Sequence, residues 1–102
     1  MFIYNITIKV DWKIHDEWLQ WLLDSYIPSI MQTYCFEKYQ ATRLHETDET
    51  EGPTYAVQFY AASKSQCNRY SQLHATSIMQ NAFEKWKDQM LSFSSLMEII
   101  NE

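Results

Sequence analysis

His15, Glu17 and Trp18 are the residues whose types and spacing best suit chemistry. Three positions apart, His15 and Trp18 share one face of a helix. An imidazole that titrates near neutral pH, beside a flat indole and a carboxylate, can hold a ligand or move a proton. The same spacing also suits packing, with His15 at the end of an apolar stripe and a ring nitrogen bonded to backbone. A titratable side chain alone points to function only statistically, so packing is the preferred reading. Trp12, Trp18 and Trp21 lie within ten residues and resemble a binding wall. Helical geometry turns Trp21 well away from Trp18, which favours packing for two indoles and exposure or an oligomer contact for the third.

Other constellations carry less. His15, His45 and His74 raise the question of a metal, but none stands at HxxxH or HxH spacing, and neither Cys35 nor Cys67 has a close histidine. A zinc site would need three or four ligands converging from separate elements; no metal is expected. The acidic run from Glu46 to Glu51 lacks calcium-loop spacing. No glycine-rich phosphate loop or nucleophile elbow is present, and no cofactor is expected. The stretch from Gly52 to Phe59 faintly resembles the aromatic third strand of RNA-recognition domains. That motif needs a leading basic residue and exposed aromatics, whereas Glu51 precedes the glycine here and Tyr55 and Phe59 share the expected core face. With a net charge of −5, nucleic acid is not an expected partner.

The elements that must position these residues follow from the hydrophobic rhythm. Phe2, Tyr4, Ile6, Ile8 and Val10 alternate with Ile3, Asn5, Thr7 and Lys9, a strand over about Phe2 to Val10. His15, Trp18, Leu19, Leu22, Tyr26 and Ile30 then recur at helical spacing, a helix over about Ile14 to Met31 with Asp11 before it and a kink or early end at Pro28. A second strand is expected over about Phe36 to His45, an exposed acidic hairpin loop to Gly52-Pro53, and a third strand over about Thr54 to Ala61. Ser63 and Gln66 form a capping-box signature for a second helix carrying Cys67, Tyr70, His74 and Ile78. Residues 81–88 read either as its continuation or as a loop. A last strand spans about Leu91 to Ile100.

At 102 residues the chain makes one domain, 1–102. With 46% hydrophobic and 16% aromatic residues it has the means for a packed core. No apolar run approaches the roughly 20 residues of a membrane span, the N-terminus lacks signal-peptide features, and two cysteines without CxxC spacing read as reduced thiols. The expected address is cytoplasmic, with no membrane partner. Two helices and four strands in this order predict an α+β ferredoxin-like βαββαβ fold, a four-stranded antiparallel sheet with both helices on one face. Tyr4, Ile6, Ile8, Leu19, Leu22, Val57, Phe59 and Phe93 are the expected core. The other face is expected to show Ile3, Asn5, Thr7, Lys9, Ala56, Gln58, Tyr60, Leu96 and Ile100, a semi-polar surface suited to a homodimer interface or a ligand site.

The segments MFIYNITIKV, IHDEWLQWL, IPSIMQT with Phe36, and TYAVQFY resemble a small bacterial family known only as a domain of unknown function. Its members begin Met-Ile-Tyr-Asn and carry an Ile-His-x-Glu-Trp-Leu-x-Trp block. The likeness covers about Phe2 to Ile100, and that block is its most specific part. The resemblance implies a ferredoxin-like domain of the dimeric α/β-barrel kind with no assigned activity. The chain departs from the pattern at Tyr34, where a glycine commonly precedes Cys35-Phe36. In cofactor-free monooxygenases of the dimeric barrel class, polar and aromatic side chains gather between helices and sheet. By that analogy Asn5, Thr7, Arg43, Gln58 and Tyr60, placed on the free sheet face, are candidate pocket residues. The reading is therefore a homodimeric module with a binding or regulatory role; the alternative is a small-molecule enzyme of the monooxygenase-like class. The candidate ligand contacts are His15, Trp18, Asn5 and Tyr60.

Overall fold

Strand β1 occupies Phe2–Val10, where alternating aromatic and β-branched side chains suit a pleated surface. The computed structural model describes residues 1–102. Asp11 ends the strand and accepts a hydrogen bond from the Lys13 N–H at 2.8 Å, which starts a 3₁₀ turn over Trp12–Ile14. Helix α1 (His15–Trp21) runs into a π turn over Leu22–Tyr26 and then α2 (Ile27–Met31), one continuous helical arm. The kink expected at Pro28 takes the form of this π turn. Proline lacks the N–H that would bond four residues back, and just before it the Ile27 N–H reaches the Leu22 carbonyl, five back. The arm closes on Tyr34, whose N–H bonds the Met31 carbonyl at 3.1 Å and whose φ is +60°. That is a left-handed conformation natural to glycine. It explains why Tyr34 stands out against the family pattern.

Strand β2 covers Lys38–Arg43 and is shorter than expected. Cys35 and Phe36 are drawn into the core instead, with the Phe36 ring 5.3 Å from Phe59 and 5.2 Å from Tyr70. The hairpin loop is not wholly exposed either. Gly52 and Pro53 are buried because the loop end is stitched to the end of β1, with the Val10 N–H on the Pro53 carbonyl and the Trp12 N–H on the Glu51 carbonyl, both at 3.1 Å. A Cβ on Gly52 would lie 1.7 Å from the Val10 carbonyl oxygen, so only glycine fits this approach. Strand β3 occupies Thr54–Ala61. Ser63 then accepts from the Gln66 N–H and opens helix α3 (Lys64–Leu73). The arm breaks at His74 and resumes as α4 (Ala75–Trp86), so residues 81–86 continue the helix, with a 3₁₀ turn over Lys87–Gln89. Strand β4 is Met90–Glu98.

The sheet order is β2-β3-β1-β4, with every neighbouring pair antiparallel. Each helical arm crosses from one strand to a parallel strand one place beyond its neighbour, the split βαβ arrangement of a ferredoxin-like fold. The arms share one face of the sheet. There Tyr4, Ile6, Ile8 and Val10 of β1 and Tyr55, Val57 and Phe59 of β3 pack against Trp18, Leu22, Tyr26, Ile27, Ile30, Cys67, Tyr70 and Trp86. Leu19 is partly buried against this cluster. No helix is long and apolar enough to cross a membrane.

Strand β4 departs from expectation. Phe93 is not core: it pairs with Thr7, lies on the face away from the helices and is 66% exposed. Leu96 pairs with Tyr4 and so belongs to the helix side, while Ile100 lies beyond the strand. The residues that join Ile3, Asn5, Thr7 and Lys9 on the open face are Met97, Ser95, Phe93 and Leu91. Paired residues in an antiparallel ladder share a face, so register decides the side and the strand's own alternation cannot.

Three substitutions test this frame. Leu22 is sealed in the core and its neighbour Leu23 is half exposed. Leu22→Ala is expected to cost about 2–5 kcal/mol in urea unfolding, and Leu23→Ala no more than about 0.5 kcal/mol. Tyr34→Gly is expected to raise stability by about 0.5–1 kcal/mol, the left-handed strain less glycine's entropy.

Candidate functional site

The His15 corner is built from two elements 40 residues apart in sequence. The first turn of α1 sets the imidazole over β3, where its Nε2 lies 2.6 Å from the Tyr55 hydroxyl and the two rings stack at 5.9 Å. Its Nδ1 meets the exposed Asp16 carboxylate at 3.2 Å. Trp12 stands edge-on to the imidazole at 5.3 Å and donates its indole N–H to the Glu49 carbonyl at 2.7 Å. Burial pushes the Tyr55 phenol up, offset in part by the Arg43 guanidinium, so Tyr55 stays a neutral hydrogen-bonding group at ordinary pH. His15 lines neither the depression of about 530 Å³ at the end of β1 nor the groove between the helices and β4. Trp18 has no exposed surface; its N–H points to the Met90 sulfur at 3.2 Å and its ring packs on Tyr55 at 5.2 Å.

Asn5 and Tyr60 lie on the opposite side of the sheet. Cross-strand register aligns Gln40, Gln58, Asn5 and Ser95 in one polar row across all four strands. The row beside it runs Thr42, Ala56, Thr7, Phe93; on its other flank stand Lys38, Tyr60, Ile3 and Met97. Asn5 donates to the Thr7 hydroxyl at 3.0 Å, while its side-chain carbonyl is buried without a partner. Tyr60 donates to the Gln40 carbonyl at 3.2 Å, under the Lys38 ammonium at 4.8 Å. Arg43, placed on this face by the sequence reading, is not there. It pairs with Tyr55 in the ladder, on the helix side, where it holds Glu49 at 2.9 Å and covers the Trp12 ring.

A third feature joins residues that the sequence reading placed only in separate core stripes. Tyr4 from β1, Tyr26 from the π turn and Tyr70 from α3 are buried side by side, with the Tyr4 and Tyr70 rings 5.1 Å apart. They line one end of a groove between α4 and β4, with Ser92, Ser94 and Met79. The groove continues past Ala82, Phe83 and Met90 as a cavity of about 190 Å³. Burial, with Tyr4 nearby, pushes the Tyr26 phenol up to about 12, and burial raises Tyr70 further. The available signal was three tyrosines at core positions, each carrying a hydroxyl that a phenylalanine would not have to satisfy. The largest depression, about 530 Å³, lies at the far end of β1 among Lys9, Lys13, Asp11, Glu51 and Asp88. Its charges of both signs form no convergent set for one ion.

The four candidate contacts therefore do not meet: His15 and Trp18 lie on the helix side, Asn5 and Tyr60 on the open face. Residues 1–100 match the family model described as Domain of unknown function (DUF4286). No curated protein matches the chain by sequence. Among solved structures, the chain is similar to an ethyl tert-butyl ether d (EthD) family protein from Bacillus halodurans, at TM-score 0.72 and 9% identity, with 98% of this chain and 100% of that one covered. It is similar also to SnoaB, a cofactor-independent oxygenase from Streptomyces nogalater, at 0.69 and 9%, covering 99% and 95%. A dimeric ferredoxin-like protein from an uncultured marine organism aligns at 0.70 and 8%, covering 100% and 97%. At such identities the likeness shows the ferredoxin-like fold.

The raised Tyr26 phenol makes stability depend on alkaline pH. The fold favours the neutral form, so this contribution is complete below the unfolded value near 10 and is lost as pH rises through about 12. The urea midpoint is expected to fall across that window, with a Tyr26 share on the order of 2–3 kcal/mol. Tyr26→Phe should flatten that part of the fall.

Proposed function

We propose that this chain, which belongs to the DUF4286 family of unknown function, works as a homodimer joined through the open face of its sheet, and that the dimer is a binding or regulatory module. The observation that carries this reading is the bare apolar surface on that face. Leu91 and Phe93 are 63% and 66% exposed, and Met97 and the half-buried Ile3 extend the patch. Monomers rarely leave such a patch uncovered. The accessible polar side chains of the row crossing that face, Gln40, Gln58 and Ser95, support a second copy as the occupant. Carboxamides both donate and accept, so the same surface on a two-fold partner can complement it.

Tyr60 in this reading faces the partner subunit, while Asn5, buried within the chain, lies beneath that surface. His15 and Trp18 stay within one chain, tying α1 to β3 and β4, and their assignment as ligand contacts is not needed. Two free thiols, Cys35 and Cys67, suit a reducing cytoplasmic setting.

Light scattering at micromolar concentration is expected to give twice the 12.3 kDa of one chain, with a total buried area on the order of 1,200–2,000 Å². Phe93→Glu should yield a folded monomer, because the charge would be buried unpaired at the interface. Leu73→Glu, an exposed change on α3, should leave the dimer intact. A parent protein that scatters only as a 12.3 kDa species would overturn the proposal.

A further inference from the structure

The α4–β4 groove exists because the second helical arm breaks at His74 and leaves the outer strand bare. Ser92, Ser94 and Leu96 point to the helix side, yet all three are exposed. Into this gap open three phenols that are each more than nine-tenths buried, Tyr4, Tyr26 and Tyr70 at 8%, 4% and 1% exposure. The remaining buried phenol, Tyr55, has His15 as its partner. No hydrogen bond contributes to the raised Tyr26 and Tyr70 values; burial and neighbouring phenols account for them, with the Cys35 thiol adding to Tyr70. Neither hydroxyl is among the sealed, unpartnered polar atoms, which are the Asn5 carbonyl oxygen and the Trp86 indole nitrogen. Both hydroxyls therefore keep some accessible surface, and both residues line the groove. A buried hydroxyl without an acceptor costs free energy, so chains rarely hold several together unless something else accepts from them.

We infer that this groove is a binding site for a small, largely apolar molecule carrying an oxygen acceptor, of the class of bicyclic aromatic ketones, held by hydrogen bonds donated from Tyr26 and Tyr70. The remaining walls suit such a skeleton. Met79 and Phe83 on α4 form an exposed apolar rim, with Ala82 and Met90 further along. The cavity of about 190 Å³ that Tyr26 lines admits a two-ring body, while the adjoining space of about 20 Å³, lined by Tyr26, Tyr70, Ser92 and Ser94, has room only for its oxygen. Both phenols remain protonated across the physiological range, since burial holds them above the ordinary tyrosine value. They serve as donors, and neither acts as a base near neutral pH. The site is thus suited to binding and deepens the module reading by naming a ligand class. It rests on residues of one chain, and its β4 wall includes Phe93 and Leu91, which also belong to the proposed dimer contact.

Isothermal calorimetry with 1-tetralone tests the inference, with tetralin, the same skeleton without the carbonyl, as the paired probe. The ketone is expected to bind, and tetralin to bind about tenfold more weakly, the scale of one net hydrogen bond. Tyr26→Phe and Tyr70→Phe should each weaken the ketone about five- to tenfold and leave tetralin unchanged. Both variants keep the ring, and thermal melts by circular dichroism report their folding. Met79→Trp, a change on the exposed rim, should fill the groove and abolish both titrations. No heat from 1-tetralone up to millimolar concentration, equal binding of the two probes, or full ketone affinity in both phenylalanine variants would overturn the site. Light scattering on the same samples reads the dimer separately, so loss of one property is distinguishable from loss of the other.

Discussion

One-sided burial of the sheet is the constraint on which the rest of this structure depends. Both crossovers join parallel strands, and the right-handed rule for such crossovers puts the two helical arms on the same face. The central strands β1 and β3 then supply the floor of the core, and their inward rows are almost completely buried. The outer strands β2 and β4 remain largely exposed. A single layer of helices covers the middle of the sheet and leaves its edges and its whole second face to other partners. The apolar open face and the groove beside β4 are both consequences of that geometry.

The helical arms are shaped by local devices that make this coverage possible. The π turn before Pro28 keeps the first arm continuous where a proline would otherwise leave a carbonyl without its donor. It also places Tyr26 in the core beside Trp21, whose ring stacks on it at 4.8 Å. The break at His74 lets α3 pack on the central strands while α4 carries Trp86 back to Trp21, 5.7 Å away. At the opposite end, Gly52 lets the acidic hairpin approach the end of β1, and Trp12 fastens it through its indole N–H. The His15–Tyr55 contact lies beside this fastening and shares its aromatic neighbours.

A division of labour between the two faces follows. On the helix side, polar atoms are set among aromatic rings; the Tyr55 hydroxyl and the Trp18 indole have partners there, while the Trp86 indole has none. The open face instead arranges amides and hydroxyls in a row flanked by apolar side chains, a pattern closer to an interface than to a core or a solvated surface. The weak likeness to proteins with different described roles fits this view, since a shared fold fixes where faces and clefts lie while the side chains decide their use.

The amino-acid sequence by itself determined the element order, the bounds of β1 and β3, the cap at Ser63 and the fold class. These rest on short-range periodicity and local hydrogen bonding, which neighbouring residues specify. The departure from glycine at Tyr34 was also visible there, though only the backbone shows the left-handed turn it occupies. What the tertiary structure alone decided involves partners far apart in the chain. Strand β4 reads equally well facing either way until its ladder with β1 sets Phe93 opposite Thr7. Arg43 changes face for the same reason, through its pairing with Tyr55. Tyr4, Tyr26 and Tyr70 belong to three separate elements, and each alone reads as a core aromatic. Their meeting depends on register, on the π turn and on how the arms pack, and no local pattern of residues encodes those distances.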